Sequence, residues 1–127
     1  VMDREPLVLD ASGDELVEMA ACAAALAHAH EREFGDEGQG VTRLFARCSE
    51  RLKSLANPDD TRLEVIHDLT GDTDESVFEA SRRLREVYQL ELERDAADPW
   101  CLVLERLLAA IDDEVARRPE VGDLPVM

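Results

Sequence analysis

Hydrophobic residues in this chain recur mainly at three- and four-residue intervals, the spacing that gathers side chains on one face of an α-helix. Leu16, Met19, Ala23, Leu26, His30 and Phe34 make the first stripe, with Ser12 and Glu15 in capping-box register ahead of it and Gly35 as its stop. Val41, Leu44, Phe45, Cys48, Leu52 and Leu55 make the second, which ends before Asn57-Pro58. Asn57, Pro58 and the acids Asp59-Asp60 then have the order of a helix start and predict a shorter helix through Leu63, Ile66 and Leu69, although Leu63 to Ile66 also suits a short strand. Beyond Gly71, Asp72 and Glu75 form a cap-like pair for a long helix through Val77, Ala80, Leu84, Val87 and Tyr88. Asp98-Pro99 restarts the chain for a last helix along Trp100, Leu104, Leu107, Leu108, Ile111 and Val115, which Pro119 ends.

This pattern predicts an all-α protein, an antiparallel helical bundle of four long helices plus one short helix. Residues 1–10 read as an extended N-terminal arm around Leu7-Val8-Leu9, 11–118 as a single bundle domain and 119–127 as a C-terminal tail. Val1 ahead of Met2 reads as a leftover of the start site. The glycine-rich stretch 35–40 is the expected flexible connector, and no repeat of solenoid period is visible. Phe78, Leu90, Leu102 and Val103 widen the apolar stripes of the last two helices, which predicts a homodimer that covers the excess.

Composition narrows this picture. The chain sets 30 Asp and Glu against 14 basic residues, a net charge of −16, and Lys53 is its single lysine. With 45% hydrophobic residues it can offset the entropy of ordering, so the acidity does not mark a disordered tail. Aromatics at 4% leave the core to aliphatic side chains. So negative a surface argues against a broad face on nucleic-acid phosphates or anionic lipid. A GC-rich genome or adaptation to salt would write the same Arg-, Ala- and acid-rich composition without any functional demand. Cys22, Cys48 and Cys101 are odd in number and widely spaced, with no C-x-x-C and no leader ahead of them, which points to reduced thiols in a cytoplasm. Met19 to Ala27, the longest apolar run, is too short to cross a bilayer.

Candidate chemistry is sparse. Arg62 and His67 stand as R-x-x-x-x-H, followed by Asp68-Leu69. This resembles the R-x4-6-H signature of HEPN domains, helical proteins in which Arg and His from two protomers meet across a dimer interface and cleave RNA without metal. The resemblance covers these six residues and implies His67 as general acid or base and Arg62 as stabiliser of charge on phosphate. It departs from the family at Leu63, where a polar residue is usual, in its mid-chain position and in its acidic surroundings.

Glu64 and His67 also form an E-x-x-H, but no second copy completes a di-metal set, so no metal or other cofactor is expected. His28 and His30 fall on different sides of their helix, His30 on the apolar stripe as a hydrogen-bonded core residue and His28 outside. Asp68, Asp72, Asp74 and Glu75 lack the order of an EF-hand loop and read as a solvated turn and helix cap. Glu79 with Arg83, Asp113 with Arg117 and Glu114 with Arg118 read as ordinary solvated helix pairs. Arg43, Arg47 and Arg51, at four-residue steps, form a basic ridge that either pairs with neighbouring carboxylates or offers a partner or anion site.

Two expectations result. The first is a non-enzymatic acidic interaction protein that binds a basic protein partner, of antitoxin, immunity, inhibitor or DNA-mimic type. The second is an HEPN-like, metal-independent ribonuclease with a dimeric Arg62/His67 site.

Overall fold

The computed structural model describes residues 7–57 and 62–118, so Pro58 to Asp60 of the expected short helix and the tail at 119–127 lie outside the described residues. Helix α1 spans Gly13–Phe34. Its first turn has the expected capping box: Glu15 N–H donates to Ser12 Oγ at 3.2 Å and Ser12 N–H to Glu15 Oε1 at 3.0 Å. It ends where Gly35 takes φ +56°, a backbone region that side chains disfavour. The expected flexible connector is instead a 3-10 turn, Gly35–Gly38, which leads directly into α2 at Gln39–Ser54.

Helix α3 spans Asp74–Asp95 and α4 Pro99–Arg117. Asp98 caps α4 as its position before Pro99 predicts, with Trp100 N–H donating to Oδ1 at 3.0 Å. The α3 cap is Thr73, not Asp72: Ser76 N–H donates to Thr73 Oγ1 at 3.3 Å.

The protein is mostly helical, but the expected short helix is absent from the described residues. Arg62–Leu63 forms a short strand, β2, antiparallel to β1 at Leu7–Val8, with Leu7 opposite Leu63 and Val8 opposite Arg62. Residues 64–69 follow with no regular structure. Distance explains the difference. The Ser49 hydroxyl donates to the Ala20 carbonyl at 2.7 Å, so the late part of α2 lies beside the early part of α1. Gly40 and Val41 at the start of α2 bond to Asp72, just ahead of α3, so α2 and α3 begin at the same end. The connection must therefore return along α2, about 24 Å at 1.5 Å per residue. An extended chain covers about 3.3 Å per residue, more than twice the rise of a helix.

The expected antiparallel bundle is thereby modified to two antiparallel hairpins, α1 with α2 and α3 with α4, in which α2 and α3 run the same way. In the second hairpin Ser81, early in α3, donates to Asp112, late in α4, at 2.8 Å. The hairpins share one aliphatic core, in which Leu44, Leu52, Leu84, Leu104 and Ile111 are fully buried. Each such side chain stabilises the fold by about 1.5–3 kcal/mol relative to exposure. Ala20 and Ala23 on α1 have no exposed surface and let α2 approach closely enough for the Ser49 bond.

One polar knot joins the hairpins at the end where α2 and α3 begin. Asp72 Oδ1 accepts from Gly40 N–H at 2.7 Å and Oδ2 from Val41 N–H at 2.9 Å, so this carboxylate caps α2 from thirty residues downstream. Arg118, at the end of α4, donates to Leu69 O, Asp72 O, Asp74 Oδ1 and Glu114 Oε2, all within 2.7–2.9 Å. Replacement of Asp72 by Ala should lower unfolding stability by about 2–3 kcal/mol, because the buried Val41 N–H and the part-buried Gly40 N–H lose their acceptor. Gly38→Ala places a methyl 2.5 Å from His30 Nε2 and should cost about 1–3 kcal/mol, whereas Gly13, with open space around it, should accept Ala without loss. Urea unfolding of the three variants checks this order.

Candidate functional site

The returning segment 62–70 lies between α2 and α4 and does not close the gap between them. A cleft of about 420 Å³ remains, within the range of small-ligand sites. Its walls are aliphatic: Leu44 and Cys48 from α2, Leu63 and Leu69 from the returning segment, and Val103, Leu107 and Ala110 from α4. Glu64, His67 and Asp68 edge it on one side, and Arg106, Asp113, Glu114 and Arg117 on the other. The segment is held in place at three points. Leu63 pairs with Leu7, Arg47 Nη1 donates to Ile66 O at 3.2 Å, and Arg118 Nη2 donates to Leu69 O at 2.7 Å.

Among the edge groups, Asp68 accepts from both the Thr70 hydroxyl at 2.7 Å and the Thr70 N–H at 3.1 Å. These bonds, the hydroxyl first, hold its carboxyl below the usual range and keep it charged. Arg117 reaches Glu114 at 3.4 Å, and Glu114 also accepts from Arg118 at 2.9 Å. The edge carries four carboxylates, Glu64, Asp68, Asp113 and Glu114, and two arginines, Arg106 and Arg117. Cys48 is a wall group and not a nucleophile, because burial pushes its thiol up to about 12. Burial likewise raises Cys101 and is the largest of the causes that raise the exposed Cys22. No cluster of three or more His, Cys, Asp or Glu able to hold a metal occurs among the described residues.

His67 borders the cleft, while Arg62 is an exposed strand residue outside its lining. Neither residue is on a helix, so Glu64 and His67 do not share a helical face as an E-x-x-H requires. The Arg43, Arg47, Arg51 ridge is used within the fold. Arg43 donates to Gln39 Oε1 at 3.2 Å, Arg47 holds Ile66, and Arg51 is half-buried with an interaction partner of its own.

Comparison of the chain with protein-family models, curated protein sequences and solved structures gives no match. Function must therefore be argued from these side chains alone.

Two residues acquire roles that local spacing does not signal. Glu114 with Arg118, expected as a solvated pair, is buried, with side chains 8% and 12% exposed. His30 is buried as expected, and its Nε2 lies 2.8 Å from Ser76 Oγ, which is itself 3.5 Å from Asp72 Oδ2. Ser, His and Asp thus meet, but Ser76 lies between the other two and is fully buried, so this is a structural chain and not a nucleophilic triad. The four residues that widen the stripes also separate. Val103 is buried inside the protomer, Phe78 is half-buried, and Leu90 and Leu102 stay 67% and 45% exposed.

Burial lowers the affinity of His30 for a proton, and Arg83 acts in the same direction. Asp72, Glu33 and Glu79 oppose it without reversing the shift. A group with a depressed basic pKa binds fewer protons folded than unfolded. The folded state is then fully stable above about pH 6.5, the unfolded value, and loses stability as pH falls through it toward the folded value. Thermal melts between pH 7.5 and 5 should show this fall, and His30→Gln should flatten it. An equal slope in the variant would assign the effect elsewhere.

Proposed function

We propose that the chain is a non-enzymatic acidic interaction protein that binds a basic protein partner. The observation that carries this reading is the surplus of 30 acidic over 14 basic residues, a net charge of −16. Arg82, Arg83, Arg85, Arg94, Arg117 and Arg118 all pair with carboxylates of the same chain. The charge left to face outward is the surplus acid, which would steer a cationic surface into contact and make the complex salt-sensitive. Antitoxin, immunity, inhibitor and DNA-mimic roles share this physics.

The alternative is the HEPN-like ribonuclease, which the place of His67 beside the cleft favours and the separate placement of Arg62 does not. The first reading also has two copies associating through α3 and α4, where Leu90 and Leu102 are exposed.

Isolation of the native protein at low salt should retain basic proteins that are released as ionic strength rises to about 0.5 M. Retained RNA, or RNA cleavage that disappears in His67→Ala, would overturn the non-enzymatic reading. Sedimentation velocity should show a dimer that dissociates in the double variant Leu90→Glu, Leu102→Glu. A monomer at all concentrations would remove the second copy.

A further inference from the structure

We propose that the cleft between α2, segment 62–70 and α4 is the seat of that partner, receiving an apolar side chain flanked by Lys or Arg from a partner segment. The inference rests on the reading above and makes it specific to one place. Three observations converge there. The first is shape: about 420 Å³ lies open between walls of Leu44, Leu63, Leu69, Val103 and Leu107, room for an apolar group to leave water.

The second is Ile66. It stands on the segment that borders the cleft and is 77% exposed, although its carbonyl is fixed by Arg47. Ile66 is outside the cleft lining, and its anchored backbone presents a branched apolar side chain to water between two lining residues, Val65 and His67. The third is charge. Glu64, Asp68 and Asp113 border the opening against Arg106 and Arg117, while Glu114, 8% exposed, is taken up by Arg117 and Arg118. A phosphate or carboxylate ligand would meet net repulsion, while a cationic flank meets the exposed carboxylates of Glu64 and Asp68. An apolar centre with an acidic edge is the complement of a basic amphipathic segment.

The segment is held firmly enough to act as a fixed wall. Its two ends are tied by the Leu7–Leu63 pairing and by Arg118, so binding need not order it first. Contacts made at a preformed wall cost less ordering entropy than contacts that must fold a loop.

The test uses the full chain and a fluorescein-labelled twelve-residue peptide of Lys and Leu in helical register, with three control peptides: Lys replaced by Glu, Leu replaced by Ser, and Lys replaced by Gln. Fluorescence anisotropy at low salt should show binding of the Lys-Leu peptide, weakened at least about tenfold when Leu becomes Ser and abolished when Lys becomes Glu. Glu64→Lys and Ile66→Ser, both exposed, should each weaken it about threefold or more, and Ala110→Leu, which narrows the cleft, about tenfold. Amide chemical-shift mapping on the unaltered chain guards against a misfolded variant, and its shifts should cluster at 63–70 and 103–117. Binding that maps to the acids of α1 and α3, indifferent to Ile66→Ser, would overturn the cleft and leave the basic-partner reading standing. Binding in the cleft by the Gln form as tight as by the Lys form would keep the cavity and remove the basic partner. No binding of any peptide at low salt would overturn both.

Discussion

Asp72 places a carboxylate where the first N–H groups of α2 have no acceptor within their own helix, and the remaining architecture is arranged around that contact. It can reach them only if the chain, after leaving the far end of α2, returns along the whole helix. Once there, its main-chain carbonyl is held by Arg118 and its second oxygen lies near Ser76, which meets His30. The end of α4, the start of α3, the end of α1 and the start of α2 are thereby joined through one side chain and its neighbours. Gly38 and Gly40 leave room for this approach, since a Cβ on either would fall within 3 Å of the knot.

The cleft is a consequence of that route. A helix between α2 and α4 would have filled the space with side chains on all sides. An extended segment presents alternate residues to opposite faces, so Leu63 turns inward while Arg62 stays outside. What remains open is lined by aliphatic groups and edged by charge. The outward field stays negative because composition leaves a net charge of −16.

Much of the helical framework was legible from the residues themselves. Ser12 with Glu15, Gly35, and Asp98 with Pro99 are short-range signals, because a cap satisfies its own first turn. His30 could be assigned to the core from the stripe it shares with Met19 and Ala23. Its partner Ser76 could not, because it is forty-six residues away and carries no periodic mark. Asp72 was misread for the same reason. Beside Glu75 it resembles a cap for the following helix, yet its acceptors face the start of an earlier one. Glu114 and Arg118 have the spacing of a solvated pair, and only the approach of segment 69–74 buries them. The R-x-x-x-x-H spacing spans a strand residue, Arg62, and a residue beside the cleft, His67, in a segment without helix.

The sequence by itself determined the helix ends at Ser12, Gly35 and Asp98, which faces are apolar and how strongly the surface is charged, since the caps and stripes depend on groups within a turn or two of one another and the charge on composition alone. Tertiary structure alone decided that α2 and α3 begin at the same end, that residues 62–70 are not helical, that a cleft opens beside them and that Arg83, Arg85 and Arg118 pair with carboxylates far away in the chain. These depend on hydrogen bonds and ion pairs between residues far apart in the chain. Such contacts are set by distance after packing, and no local spacing encodes them.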